Sequence, residues 1–119
     1  MQVEWSDFMA LNETNTDEVP TQAGVYLLWA KQMGNSWRIY YIGNASCLRM
    51  TLKGHLTWKE PNPHLARKLR NCVTGFECSV LPDPAARDGV IKFLVGHYQP
   101  ELHAAPARPE IEPLEVNLP

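Results

Sequence analysis

The middle of this chain is crowded with basic side chains. Lys31, Arg38, Arg49, Lys53, Lys59, Arg67, Lys68 and Arg70 all fall within residues 31–70, where Glu60 is the one acid, so this stretch carries +7 inside a 119-residue chain of net charge −2. Residues 1–30 hold five acids and no Lys or Arg, and residues 71–119 hold seven acids against three bases. Clustered Lys and Arg are the chemistry of phosphate recognition, because each phosphate they neutralise releases condensed counterions. The same run also fits a solvated helical face. On the first reading Arg49, Lys53, Lys59, Arg67, Lys68 and Arg70 are the candidate phosphate contacts, and nucleic acid is the expected partner.

Thiol chemistry is less well supported. Cys47, Cys72 and Cys78 form no CxxC pair, and an odd count suits buried free thiols in a reducing compartment. A zinc site built from Cys72, Cys78 and a histidine matches no standard ligand spacing, so no metal ligand is assigned.

These side chains need elements to hold them. Gly24–Ala30 (GVYLLWA) and Trp37–Gly43 (WRIYYIG) are rich in aromatic and branched residues and are separated by the turn-forming Met33-Gly34-Asn35-Ser36, which predicts a β-hairpin. Ser46–Thr57 then changes to helical period, with Leu48, Leu52 and Leu56 on one side. Glu60-Pro61-Asn62-Pro63 interrupts it, and a second helix to about Cys72 turns Leu65 and Leu69 inward and Arg67, Lys68 and Arg70 outward. Phe76–Leu81 reads as a third strand, and Pro82-Asp83-Pro84 leads into a helix over about Ala85–Tyr98 that Pro100 stops. The expectation is an α+β domain over residues 21–103, a three-stranded antiparallel sheet flanked by helices in the order ββααβα. Residues 1–20 are expected to be an irregular lead-in. Residues 104–119, with Pro106, Pro109, Pro113 and Pro119 among scattered acids, are expected to be extended or disordered, or to lie against the domain or a protein partner.

With 45% hydrophobic and 20% charged residues, composition is that of one globular domain. No apolar run approaches the roughly 20 residues that span a bilayer, so no membrane partner is expected. Met1–Met9 contains Glu4 and Asp7 and lacks the basic and apolar regions of a leader, giving a cytoplasmic expectation.

Gly24-Val25-Tyr26 on the first strand and Tyr41-Ile42-Gly43 closing the second resemble the two halves of the GIY-YIG nuclease signature, with 14 residues between the tyrosines. The likeness continues through Leu48 and His55 and through His97-Tyr98-Gln99-Pro100-Glu101-Leu102, and spans about residues 20–103. In that family a strand tyrosine serves in proton transfer from the attacking water, the second-strand tyrosine and a helix arginine hold the phosphate, and a glutamate on the last helix binds one divalent metal. The resemblance therefore marks Tyr26, Tyr41 and His55 as the catalytic candidates. Alternatively, Tyr26 and Tyr41 simply pack the sheet and Gly43 precedes a helix.

The match breaks where cleavage needs it. Thr51 stands at the arginine position, Ile91 at the metal-binding glutamate, and His103 where an asparagine is frequent. At about 100° per residue, Arg49 and Lys53 lie roughly 200° around the helix from Thr51, whereas His55 lies within about 40° of it. Ile91 offers no oxygen to a hard cation, while Asp88 is about one turn away. The expected function is a catalytically degenerate domain that binds nucleic acid and needs no cofactor. Two alternatives remain: a Mg²⁺- or Mn²⁺-dependent endonuclease with a relocated acid (Asp88 or Glu77) and cation (Lys53 or Arg49), or a protein-interaction or regulatory domain that docks a partner through its acidic ends and Pro-rich tail and binds no nucleic acid.

Overall fold

The computed structural model describes residues 1–57, 62–103 and 110–119. Its elements in chain order are β1 (Met9–Ala10), α1 (Glu13–Thr16), β2 (Gly24–Lys31), β3 (Trp37–Ala45), α2 (Leu48–Gly54), α3 (Pro63–Asn71), β4 (Thr74–Val80), α4 (Pro84–Tyr98) and β5 (Leu102–His103). Four strands pair antiparallel in the order β1-β4-β2-β3, and the two-residue β5 joins β3 in parallel at the far edge. The protein is thus a small α+β domain.

The expected three strands correspond to β4, β2 and β3, and the sheet is wider by one two-residue strand at each edge. Neither edge strand is long enough to show a periodicity. The polar lead-in is also more ordered than expected. Asn12 caps α1 by accepting from the Asn15 N–H at 2.7 Å, and Thr16 beneath it is fully buried.

Central strand β2 is covered on both faces, which is why GVYLLWAK is almost continuously apolar. Tyr26, Leu28 and Ala30 join a core with Leu48 and Leu52 of α2 and Leu65 of α3, whereas Val25 and Leu27 join a second core with Val90, Ile91 and Leu94 of α4. The two-residue period of the strand sorts them. Gly24 is required at the start of β2 because a Cβ there would sit 2.1 Å from the Ser79 carbonyl oxygen and 2.8 Å from Leu48 Cδ1.

Helix boundaries follow local chemistry. Asn62 accepts from the His64 and Leu65 N–H groups and Pro63 opens α3; Asp83 accepts from the Ala85 N–H and Pro84 opens α4. Gln99 ends α4 in the left-handed conformation at φ 51°, directly before Pro100.

Residues 110–119 run without helix or strand and pack on the domain. Leu114 N–H donates to the Gly89 carbonyl at 2.8 Å, at a point on α4 where a Cβ would lie 2.9 Å from Leu114 Cβ. Val116 is buried in the α4 core beside Val3 and Trp5. The Asn117 amide both accepts from the Val3 N–H (2.7 Å) and donates to the Val3 carbonyl (2.9 Å), and the Trp5 indole donates to the Asn117 carbonyl. Two ends of the chain are thereby stitched through one side chain. Replacing Asn117 by Ala removes both amide bonds and should cost about 1–2 kcal/mol of stability in urea denaturation; an unchanged midpoint would show that the terminal contacts are not formed in solution.

Candidate functional site

Tyr26 lies across its neighbour strand at Gly43, its partner in the β2–β3 register. A Cβ on Gly43 would fall 2.1 Å from Tyr26 Cζ and 2.4 Å from its hydroxyl oxygen, so the ring occupies the space that a side chain at position 43 would need. That placement carries the hydroxyl to His55, whose Nε2 is 2.8 Å away. His55 is the C-cap residue of α2, held by its N–H to the Thr51 carbonyl. Tyr41 completes the group: ring centroids are 5.9 Å from Tyr26 and 5.8 Å from His55, with Tyr26 and His55 themselves 5.5 Å apart.

A bulge in β3 assists this convergence. Leu28 pairs with Tyr41 but Trp29 pairs with Ile39, so Tyr40 is the additional residue and both consecutive tyrosines pack with the Tyr26 core. The three expected catalytic candidates are therefore brought together. A phenol bonded to an imidazole can pass a proton between them, but both partners are enclosed: Tyr26 is 2% exposed and His55 8%. His55 nevertheless lines a recess of about 250 Å³ with Leu11, Leu56, Thr57, Ala66, Leu69, Arg70 and Thr74.

Other positions of the set fall elsewhere. Ile91 is buried in the α4 core, on the opposite side of the sheet from Tyr26, and Asp88 shares its helix. Glu77 also faces that side, opposite Leu27, with its Oε1 accepting from the Trp29 indole at 2.8 Å. The residues at the expected metal position do not fit a hard cation, since an apolar side chain sealed among Val90 and Leu94 supplies no oxygen ligand. Cys78 is buried in β4, and burial pushes its thiol pKa up.

The six candidate phosphate contacts divide. Arg49 donates through Nε to the Val19 carbonyl at 2.8 Å, and Lys53 bridges Glu13 (3.0 Å) and Asp17 (2.5 Å), fastening α2 to α1. The hydrogen bond from Lys53 holds the Asp17 carboxyl below its ordinary value of 3.8. Lys59 lies outside the described residues. Arg67, Lys68 and Arg70 occupy α3 as expected; Lys68 is 3.5 Å from Glu101, while Arg67 and Arg70 are exposed and form no ion pair among the described residues.

Between α3 and β5 lies a larger recess of about 550 Å³, lined by His64, Arg67, Lys68, Asn71, Cys72, Glu101 and Leu102. His64 and Asn71 belong to this surface although sequence reasoning did not single them out. Their spacing held the signal, as residues 64, 67, 68 and 71 share one helix face.

No family model, no curated protein and no solved structure matches this chain. The functional reading accordingly rests on the residues and their geometry.

Tyr26→Phe removes the hydroxyl partner of His55 and should destabilise the domain by about 1–3 kcal/mol through the buried polar atom it leaves. Equal stability of the variant and the parent in chemical denaturation would count against that bond. For the α1–α2 contact, the depressed Asp17 pKa means that its contribution to stability is present above the unfolded value and disappears as pH falls through the folded one. Lys53→Met should let the Asp17 pKa rise toward 3.8, read by carboxyl NMR titration. A value unmoved by the substitution would exclude the bridge as the cause.

Proposed function

We propose that this chain is a degenerate domain of the GIY-YIG nuclease type that binds nucleic acid along α3. The observation that carries this reading is the exposed pair Arg67 and Arg70 without ion-pair partners among the described residues. Each lines a recess on its own side of the helix. The two recesses flank α3, so a phosphate backbone laid along the helix meets two guanidiniums with free donors, His64 and Asn71 on one side and the His55 recess on the other. Guanidinium groups suit phosphate because their planar donors match its oxygens.

Loss of cleavage follows from the same layout. An enzyme of this type needs a cation and a metal-binding acid beside the tyrosine. Here Thr51 replaces the arginine, and Ile91, Asp88 and Glu77 belong to the other face of the sheet. The group retained on the near face is the Tyr26–His55 pair, and this favours one second reading, a proton-transfer site recruited to phosphodiester hydrolysis.

Binding of labelled single- and double-stranded DNA and RNA, followed by anisotropy across salt and with Mg²⁺ or Mn²⁺ present, separates the readings. Nucleic acid should bind without being cut, and Arg67→Gln with Arg70→Gln should reduce the steepness of log K against log [salt] by about two and weaken binding about tenfold or more. Affinity and slope unaltered in the double variant would refute the α3 surface. Metal-dependent cutting that Tyr26→Phe abolishes would replace it with the nuclease reading. Absence of both binding and cutting would leave a protein partner as the better account.

A further inference from the structure

Among the described residues, the face of the sheet that carries α4 is not covered to its end. Beyond Tyr98, whose ring meets Trp29 edge-on at 5.7 Å, the surface is built from Trp29 of β2, Trp37 at the start of β3 and Phe8 just before β1. Phe8 lies over Gly75, where a Cβ would be 2.3 Å from its Cζ, and its ring meets Trp37 edge-to-face at a centroid distance of 4.9 Å. These three rings and Glu77 line an open recess of about 270 Å³. Phe8 is 44% exposed and Trp37 38%, so large aromatic surface is left in water.

Glu77 is the anomaly in this setting. One oxygen accepts from the Trp29 indole, and no Lys or Arg forms an ion pair with the carboxylate among the described residues. Lys31, on the same face two residues beyond Trp29 in β2, is exposed and makes no ion pair with it. Burial pushes the Glu77 pKa up, against the indole bond that lowers it, and burial, with the Glu77 charge as the smaller cause, raises that of Tyr98. Among the described residues this half-buried carboxylate has one hydrogen bond and no counter-charge, and a cation held by the rings would supply one.

The ring set narrows which cation. A hard metal ion needs several oxygen donors, and the recess has one carboxylate. An ammonium or guanidinium brings three or five N–H donors against one acceptor in the recess, so its other donors stay on water at the open side and hold the charge away from the rings. A nitrogen whose hydrogens are replaced by methyl groups has no donors to satisfy, spreads its charge over apolar surface and is attracted by the ring quadrupoles. We propose that this recess binds a quaternary ammonium group, its methyls resting against Phe8, Trp29 and Trp37 and its charge balanced by Glu77.

Choline chloride titrated into the full chain at constant ionic strength tests this, with the indole N–H resonances of Trp29 and Trp37 as the readout. Both should shift saturably. The uncharged isostere 3,3-dimethylbutan-1-ol should bind about tenfold more weakly, because it keeps the shape and lacks the charge. Glu77→Gln keeps an acceptor for the Trp29 indole and should weaken choline about tenfold without altering the alcohol, whereas Phe8→Ala should weaken both. A trimethyl-lysine peptide that binds tighter than choline would assign the group to a protein side chain, and the reverse order to a free metabolite. No saturable shift, equal affinity for choline and the alcohol, or choline binding unaffected by Glu77→Gln would each overturn the proposal.

Discussion

Much of this domain hangs on the space above Gly43. Because β3 has no side chain there, the Tyr26 ring lies against its backbone and delivers its hydroxyl to His55 at the end of α2. Central strand, neighbouring strand and helix are joined in one contact, and a Cβ at position 43 would displace the ring from all three. Gly24 imposes the same kind of constraint at the start of β2, with the Ser79 carbonyl and Leu48 crowding the absent Cβ. The two glycines that sit in the signature-like motifs thus have packing reasons of their own. They do not by themselves require chemistry, whereas the convergence of Tyr26, Tyr41 and His55 leaves chemistry possible.

Strand period then decides what that cluster can reach. Tyr26 and Leu27 are adjacent in sequence and on opposite faces, so every residue paired in register with Leu27, Glu77 included, is separated from the tyrosine by the thickness of the sheet. α4 packs wholly on the Leu27 side through Val90, Ile91 and Leu94. A compensating acid from α4 or β4 would have to cross the core, and the burial of Ile91 shows how completely that route is filled.

The long elements were legible because each carried a strong local signal. The hairpin had aromatic and branched runs around Gly34, which adopts φ 82°, and α3 and α4 had an Asx cap followed by proline at the first turn. What escaped were features whose causes are distant in sequence. β1 and β5 are two residues each and exist only because β4 and β3 offer free edges. The stretch 110–119 lies against the domain without helix or strand, one of the alternatives its prolines and acids allowed, but its docking points had no local signal. Gly89 gives it close approach to α4, and Asn117 supplies to Val3 the bonds a strand neighbour would. In the site, the cluster of Tyr26, Tyr41 and His55 followed from the motif, but the bulge that turns Tyr40 and Tyr41 to the same side leaves no mark in composition.

Charge shows the same limit. The count of +7 across residues 31–70 treats all bases alike. In the folded chain, acids from the flanking stretches return to part of that cluster, Glu13 and Asp17 to Lys53 and Glu101 to Lys68, while Arg49 is spent on the Val19 carbonyl. Exposed pairs of this sort add little stability, since solvent screens them, but they cancel field at the positions they occupy. Of the candidate phosphate contacts, Arg67 and Arg70 are exposed and meet no acid among the described residues; Lys31 and Arg38 are likewise exposed, and Arg49 keeps its charge because a carbonyl does not neutralise it. On the other face Glu77 lies among rings with no ion pair among the described residues, although Lys31 shares that face. A chain of net charge −2 therefore carries exposed guanidiniums on α3 and a half-buried carboxylate on the opposite face of the sheet. The sheet between them keeps the two from neutralising one another.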